Sequence, residues 1–550
     1  MTTNSTFPTS SLSMIYDPAK LPELIQSVVD QKSSSHSLQS LNQTILDGSE
    51  SSDDDLDPLA IFPLLLPSTV EGSDVLLKTV GARCSPRESL IALQEATERL
   101  SMTNNEEVNE SDEDLGVVPT SIQLARILTL YSIVLPRLAK RKKSASGILR
   151  PLMSQVQGVV PAVSQYPEAA VQNILQSLLL LANAVPEWIG GDPIERSSVA
   201  TVLCDVLQEV VQYNANDMHS GLTAKTFERH YPNLRIPGTS TDGPSGNPAS
   251  RTVTDTLDAL IGLGFEPNIL LTQPSVSSLI LIAHSAQPRL TEKTLEAFLP
   301  IILAALQSNT ALDETLALLL DTLGSLRNAT PRPDLAVDIL VPLVHVLAPL
   351  ASVHPDPPTR HATFRILSIV LALSPSPIRL RLLKDLVTDE DESMQQMRAA
   401  AIGLVKEAIL EALSTLRTTS GPSNVFSSPV FMQEIGSVLF LKQAEKIALD
   451  VVEFLESAEP LRLIESMGLL YVLLLRDIDN RTGVRDRTFL KAVDRTLLTP
   501  LKERLTLWEK ETRNSTELEH AVMQLGILDM WLGRLSSAIE NVSDRENAES

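Results

Sequence analysis

Few residues of this chain are set where their side chains could do chemistry, and Cys84 has the most suggestive setting. It lies in Arg83-Cys84-Ser85-Pro86-Arg87-Glu88, where Ser85 is suited to cap a helix entered at Pro86. A helix N-terminus and two neighbouring arginines both favour the thiolate, which makes Cys84 a candidate redox thiol. The plainer account of the same residues is a cysteine that happens to precede a helix. Cys204 falls among Val199, Leu203, Leu207 and Val211 at helical spacing and reads as core. The nearest pair among the scattered histidines is His354 and His361, but Pro355, Pro357 and Pro358 lie between them. One continuous helix could present both imidazoles to a metal; that proline cluster argues against it. No H-E-x-x-H or C-x-x-C metal spacing, phosphate-binding loop or nucleophile elbow is spelled out, and Gly262-Leu-Gly264 lacks the third glycine and the preceding strand of a dinucleotide site. The chain reads as non-enzymatic, with no catalytic residue, cofactor or metal to assign.

What must position such residues is a long aliphatic scaffold. With 550 residues the chain exceeds a single core, and its 43% hydrophobic but only 4% aromatic content means that leucine and other aliphatics fill the interior. Lys and Arg total 45 against 68 Asp and Glu, a net charge of −23, which argues against nucleic acid and anionic membrane as partners. The first 120 positions hold 20 acidic and 6 basic residues, so the excess is concentrated there. Two cysteines cannot build a disulfide framework, which suits a reducing compartment. The opening residues lack a basic n-region and apolar h-region, and runs such as Ile174 to Val185 are too short to span a bilayer. A cytoplasmic protein is expected. Lys140-Arg-Lys-Lys143 would give it access to the nucleus if it works as an import patch rather than as a solvated helix end.

Composition breaks divide the chain. Residues 1–57 read as largely disordered and acidic, with one short helix over Pro18 to Asp30; Ser49, Ser51 and Ser52 precede Asp53 to Asp55 as candidate phosphate acceptors. An N-terminal helical repeat unit is expected over 58–231, with an acidic loop at 104–116 and prolines 136, 151, 161, 167, 186 and 193 at helix ends or kinks. The Pro-, Gly- and Ser-rich stretch 232–252 reads as a flexible linker, 253–541 as a C-terminal repeat domain and 542–550 as a disordered tail. In the C-terminal part, first helices are expected near Leu290, Pro333 and Ser376, and second helices near Ala311, Pro358 and Ser393. Asp356 ahead of Arg360 and Ala362, and Asp389 ahead of Arg398 and Ala401, place an acid at the close of one helix and Arg with a small residue on the next. The acid and arginine could link neighbouring turns while alanine permits close approach. No strand alternation is present, so the expected class is all-α, a HEAT-like α-solenoid of antiparallel helix pairs.

The most distinctive segment is Tyr471-Val-Leu-Leu-Leu-Arg476-Asp-Ile-Asp-Asn480-Arg-Thr-Gly483-Val, an apolar helix stopped at a polar turn and followed by Phe489-Leu490 and Leu498-Thr-Pro500-Leu501. It resembles the glomulin, Yap-binding protein and aberrant lateral root formation protein family, in which a long apolar helix meets a charged D-x-x-N, T-G turn. The preceding repeats resemble that family as well, and the likeness extends from the linker to Ser536, tightest over 355–513. It implies a protein-binding scaffold whose partner is a cullin-associated RING subunit, docked on the C-terminal repeats, or alternatively a Yap-type stress transcription factor or a kinetochore component. Arg476, Asp477, Asn480, Thr482, Gly483, Pro500 and Leu501 are the positions that match the motif, and so the candidate partner-binding residues. They equally suit a purely structural turn. Positions 476–513 hold 10 basic and 7 acidic residues, a local reversal of the chain's balance.

Overall fold

The computed structural model describes residues 18–30, 37–47, 56–103, 118–139, 144–163, 168–216, 220–233, 248–286, 289–415, 424–441, 447–513 and 519–549. The regular elements among them are helices, with no strand, so the chain is all-α as its patterning predicts. It divides into two compact units: unit 1 is Met1–Leu222, Ser240–Leu290 and Asn309–Thr315, and unit 2 is Thr223–Thr239, Thr291–Ser308 and Leu316–Ser550.

Unit 1 begins with α1 (Leu21–Val29), α2 (Leu38–Asp47), α3 (Pro58–Leu65), α4 (Ser73–Arg83) and α5 (Pro86–Thr103). Then come α6 (Thr120–Val134), α7 (Ala145–Val163), α8 (Glu168–Ile189) and α9 (Pro193–Tyr213). Two helices, α1 and α2, stand where one was expected. The acidic stretches around 48–55 and 104–117 and the basic run Lys140–Lys143 lie outside the described residues. Pro151, Pro161 and Pro186 sit inside helices rather than at their ends, whereas Pro193 opens α9. The recurrent start signal is Asp-Pro. Asp57 and Asp192 accept from backbone N–H groups of α3 and α9 while Pro58 and Pro193 occupy the first helical position, where no N–H is needed. Arg126 of α6 fastens α3 and α4: its Nε lies 2.6 Å from Asp74 Oδ1, and its Nη1 donates to the carbonyls of Leu66 at 2.7 Å and Ser68 at 2.9 Å.

After α10 (Leu222–His230), residues 234–247 of the stretch 232–252 expected as a flexible linker lie outside the described residues, whereas its end, 248–252, is already helical as the start of α11 (Pro248–Leu263); α12 (Val276–His284) follows. The sequence groups these two helices with the C-terminal repeats, but they belong to unit 1, because α11 packs on α8 and α9 and α12 packs on α9.

Beyond them come α13 (Glu292–Ser308), α14 (Leu312–Asn328), α15 (Val337–Val353), α16 (Pro357–Ala372), α17 (Ser376–Thr388) and α18 (Gln395–Thr415). Their starts follow the expected first and second helices of each repeat within a few residues. In unit 2, α15 packs on α16 and α17 on α18. Ala362, Ala399 and Ala401 are buried, as close helix approach requires. The acid and arginine do something other than pair. Asp356 caps α16 by accepting from Thr359 N and Oγ1, and Arg360 donates to the carbonyls of His354 and Pro355 at the end of α15. A π-wound segment, Met432–Leu441, leads to α19 (Val451–Glu456), α20 (Glu459–Arg476), α21 (Arg487–Val493), α22 (Thr499–Arg513) and α23 (Glu519–Glu549). The segment 542–550, read as a disordered tail, is helical through Glu549 as the end of α23.

Unit 1 buries one pair of ionisable side chains. His284 and Glu314 side chains are 0% and 1% exposed, with Nε2 3.8 Å from Oε1. Thr254 Oγ1 donates to the Ser250 carbonyl, so at 3.0 Å it receives its proton from His284 Nδ1 and turns Nε2 towards Glu314, whose oxygens have no other partner. Removing one member strands the other in an apolar interior, which typically costs 3–5 kcal/mol. Glu314→Ala or His284→Ala should therefore lower unfolding free energy by about 3 kcal/mol, and a double replacement by leucine should recover most of that. A double-mutant cycle by thermal melting checks this; additive single losses would show that the two groups act independently.

Candidate functional site

The long apolar helix α20 ends because its last residues hand over to a side-chain clamp. Asp477 is 1% exposed and its N–H still completes the helix, donating to the Leu473 carbonyl at 2.9 Å. Its carboxylate accepts from Arg481 N at 2.9 Å, from Thr482 N at 2.8 Å and from Thr482 Oγ1 at 2.6 Å. Asn480 sits at φ +49°, its Oδ1 accepting from Arg485 N at 2.8 Å and its Nδ2 donating to Asp486 Oδ1 at 2.8 Å. Gly483 has φ +81°, and a Cβ there would meet Asp486 Oδ2 at 3.2 Å. The chain therefore needs Asn and Gly at these two points for conformational reasons alone.

The candidate partner-binding residues separate by this geometry. Asp477 and Thr482 are buried with their polar groups satisfied inside the turn, and Leu501 is buried in α22. Asn480, Gly483 and Pro500 are half-buried, and Arg476 is exposed. Of these residues Arg476 offers its side chain to solvent; Asp477, Asn480, Thr482 and Gly483 shape the turn, and Pro500 and Leu501 belong to the start of α22.

Beside the turn opens a groove of about 750 Å³ between α20 and α23. Leu475 and Ile478 form one lip, 51% and 64% exposed, and Met530 at 43% forms the other. Tyr471 and Trp531 fasten the two helices edge to face, ring centroids 6.0 Å apart. Gly533 lines the far wall, and a Cβ added to it would meet nothing within 4 Å. The charged lining is Arg485, Arg534 and Asp529. Arg485 donates to the carbonyls of Leu474 at 2.6 Å and Ile478 at 3.3 Å, which fixes the guanidinium without neutralising it. Arg534 lies over the Trp531 ring at 5.5 Å. What the groove provides is a mixed lining, with apolar lips at Leu475, Ile478 and Met530 and polar walls that include Arg485, Arg534, Ser537 and Asn541.

Residues 287–531 match the model of a family described as an uncharacterised protein family, YAP/Alf4/glomulin. Over these residues the chain is similar to that family. The YAP/Alf4/glomulin segment runs from just before α13 into α23 and thus contains α20, the clamped turn and Met530. A comparison of the whole chain with curated proteins gives no match.

Ile478, Arg485, Met530 and Arg534 were not singled out in the sequence. The available signal was the two-sided pattern of α23: Leu525, Leu528, Leu532 and Leu535 are buried, while Met523, Ile527 and Met530 recur at helical spacing on the exposed side. Cys84 requires correction. It is fully buried, and desolvation pushes its thiol up to about 12 despite the charge of Arg137, the nearest cation that lowers it. Arg83 turns away, donating to the carbonyls of Ile45 and Leu46. Cys204 is buried as expected, also with a pKa raised to about 12 by burial. His354 closes α15 while His361 lies within α16, edge-on to Phe227 at 5.2 Å, so the two do not share a helix face. Among the described residues no group of three potential ligands is assembled.

Two outcomes follow. Asp477→Ala strands three donors and should cost about 3 kcal/mol; Gly483→Ala should cost about 1 kcal/mol through backbone strain; chemical denaturation measures both. Thiol-specific reagent at pH 8 should leave both cysteines unmodified until the chain is unfolded. Because these folded pKa values are raised, the cysteines favour the native state below pH about 9 and withdraw that support as pH rises towards 12. Rapid labelling of the native protein would contradict the burial of Cys84.

Proposed function

We propose that this chain is a non-enzymatic scaffold that docks the RING subunit of a cullin ubiquitin ligase on its C-terminal helices, in the cytoplasm, and so restrains ubiquitin transfer. The supporting observation is the groove beside the clamped turn, whose turn, Leu475–Ile478 lip and Met530 lie within the segment similar to the YAP/Alf4/glomulin family. Protein docking sites bury aromatic and aliphatic anchors at the centre and keep arginine at the edge, which is the composition here. Leu475, Ile478 and Met530 leave a large part of their apolar surface exposed, which is the area such anchors would bury. The alternative of a partnership with a redox-regulated transcription factor gains nothing from Cys84, whose thiol is buried. None of the described helices is long and apolar enough to cross a membrane.

Purified full-length chain should retain a purified RING subunit in a pull-down at low micromolar concentration and slow ubiquitin discharge from the charged conjugating enzyme. Ile478→Asp with Leu475→Asp should weaken retention by about 100-fold, since two desolvated anchors of about 1.5 kcal/mol each are lost. Absence of retention at micromolar concentration would remove the RING partner while leaving the fold assignment intact.

A further inference from the structure

Within unit 2, α23 presents two apolar faces. Leu525, Leu528, Leu532 and Leu535 face inward, and α23 packs on α20 and α22. The opposite face repeats Met523, Ile527, Met530 and Arg534, exposed by 70%, 38% and 43% at the three apolar positions. Gly526 and Gly533, one heptad apart on that same side, would each place a Cβ in open space. Glycine is a poor helix former, costing about 1 kcal/mol relative to alanine in a helix interior. Here neither glycine is needed for packing within the unit, since no neighbouring atom approaches either. Their effect is to hollow the outer surface of α23, so that another backbone can come close between Ile527 and Arg534.

The charge beside this hollow runs against the rest of the molecule. The lining of the adjoining groove has two arginines to one aspartate, in a chain with 68 acidic and 45 basic residues. Arg485 is held by carbonyl oxygens and Arg534 by the Trp531 ring, so neither cation is matched by a carboxylate in its hydrogen bonds or stacking. A second copy of the chain is a poor occupant, because a two-fold contact centred on Met530 would bring Arg485 and Arg534 of both copies to one groove. An occupant with carboxylates on either side of an apolar stripe meets both features.

We propose that the outer face of α23, together with the Leu475–Ile478 lip, receives an amphipathic helix of a partner protein that carries apolar residues at i, i+3, i+4 and i+7 flanked by Asp or Glu. This rests on the reading of the chain as a protein-binding scaffold and specifies the element that it recognises; it does not depend on the partner being a RING protein. The partner helix lays its apolar stripe over Met530 and Ile478 and passes over Gly526 and Gly533, and its carboxylates meet Arg534 and Arg485.

The test is a fluorescence-anisotropy titration of full-length protein with a labelled model helix that has leucines at i, i+3, i+4 and i+7 and flanking glutamates. A twin peptide with lysines in place of the glutamates is the control. The glutamate peptide should bind at least about tenfold more tightly than its twin, and the difference should shrink as salt is raised. Gly533→Gln fills the hollow without loss of helix propensity and should weaken the glutamate peptide by about tenfold with an unchanged circular-dichroism melt. Arg534→Glu should reverse the preference between the peptides. Equal binding of the two peptides, or binding indifferent to both substitutions, overturns the proposal. So does a concentration-dependent dimer in light scattering that Gly533→Gln abolishes, because the face would then belong to a second copy. Binding of the glutamate peptide without any RING retention would leave this inference standing and remove the RING partner alone.

Discussion

The carboxylate of Asp477 holds the end of α20 and the start of everything after it. Three donors converge on one buried side chain, and through them the chain reverses within six residues, from Asp477 to Thr482. Each bond to a charged acceptor in a partly desolvated place contributes more than a neutral one in water. The left-handed residues Asn480 and Gly483 then carry the chain on to Arg485, whose guanidinium reaches back to the Leu474 and Ile478 carbonyls. The turn is thus fastened from both sides, and Leu475 and Ile478 are left facing outward. Ile478 is exposed where the clamp diverts the chain from the helix, and Leu475 lies on the solvent side of the last turn of α20.

A structural motif and an exposed apolar lip thus share one stretch of sequence. Most motif positions build the turn, and the apolar side chains beside them stay exposed. Within unit 2, the groove needs α23 as its second wall, and Tyr471 against Trp531 sets the spacing of the two helices. The segment similar to the YAP/Alf4/glomulin family includes the clamp, the lip and α23 as far as Trp531, while Gly533, Arg534 and the rest of the α23 wall lie beyond it.

Much of the architecture was legible because its signals are local. Asp-Pro pairs mark the starts of α3, α9 and α16, since capping and the missing proline N–H act within a single turn. The repeat helices α13 to α18 follow from apolar periodicity, and Gly483 announced the turn. What could not be read was long-range. The inward burial of Cys84 depends on how α4 is packed, and its nearest relevant cation, Arg137, lies more than fifty positions away in sequence. The expected Asp356–Arg360 link failed for a related reason: both groups found backbone partners, which sequence spacing alone does not disclose. Likewise, the groove exists only because one apolar face of α23 is left uncovered, and periodicity cannot say which of two apolar faces goes inward.

Several arginines share one employment. Arg83, Arg126, Arg137, Arg360 and Arg485 direct guanidinium groups at carbonyl oxygens where other helices finish, and Arg504 does so at the Ile447–Leu449 turn. The beginnings of α3, α9, α16 and α19, by contrast, are held by aspartates. A guanidinium keeps its proton throughout the range in which proteins survive, whereas a carboxylate gives up its charge in acid. Acidification should accordingly loosen these four helices at their first turns, while the arginine-tethered helix ends elsewhere keep their hold.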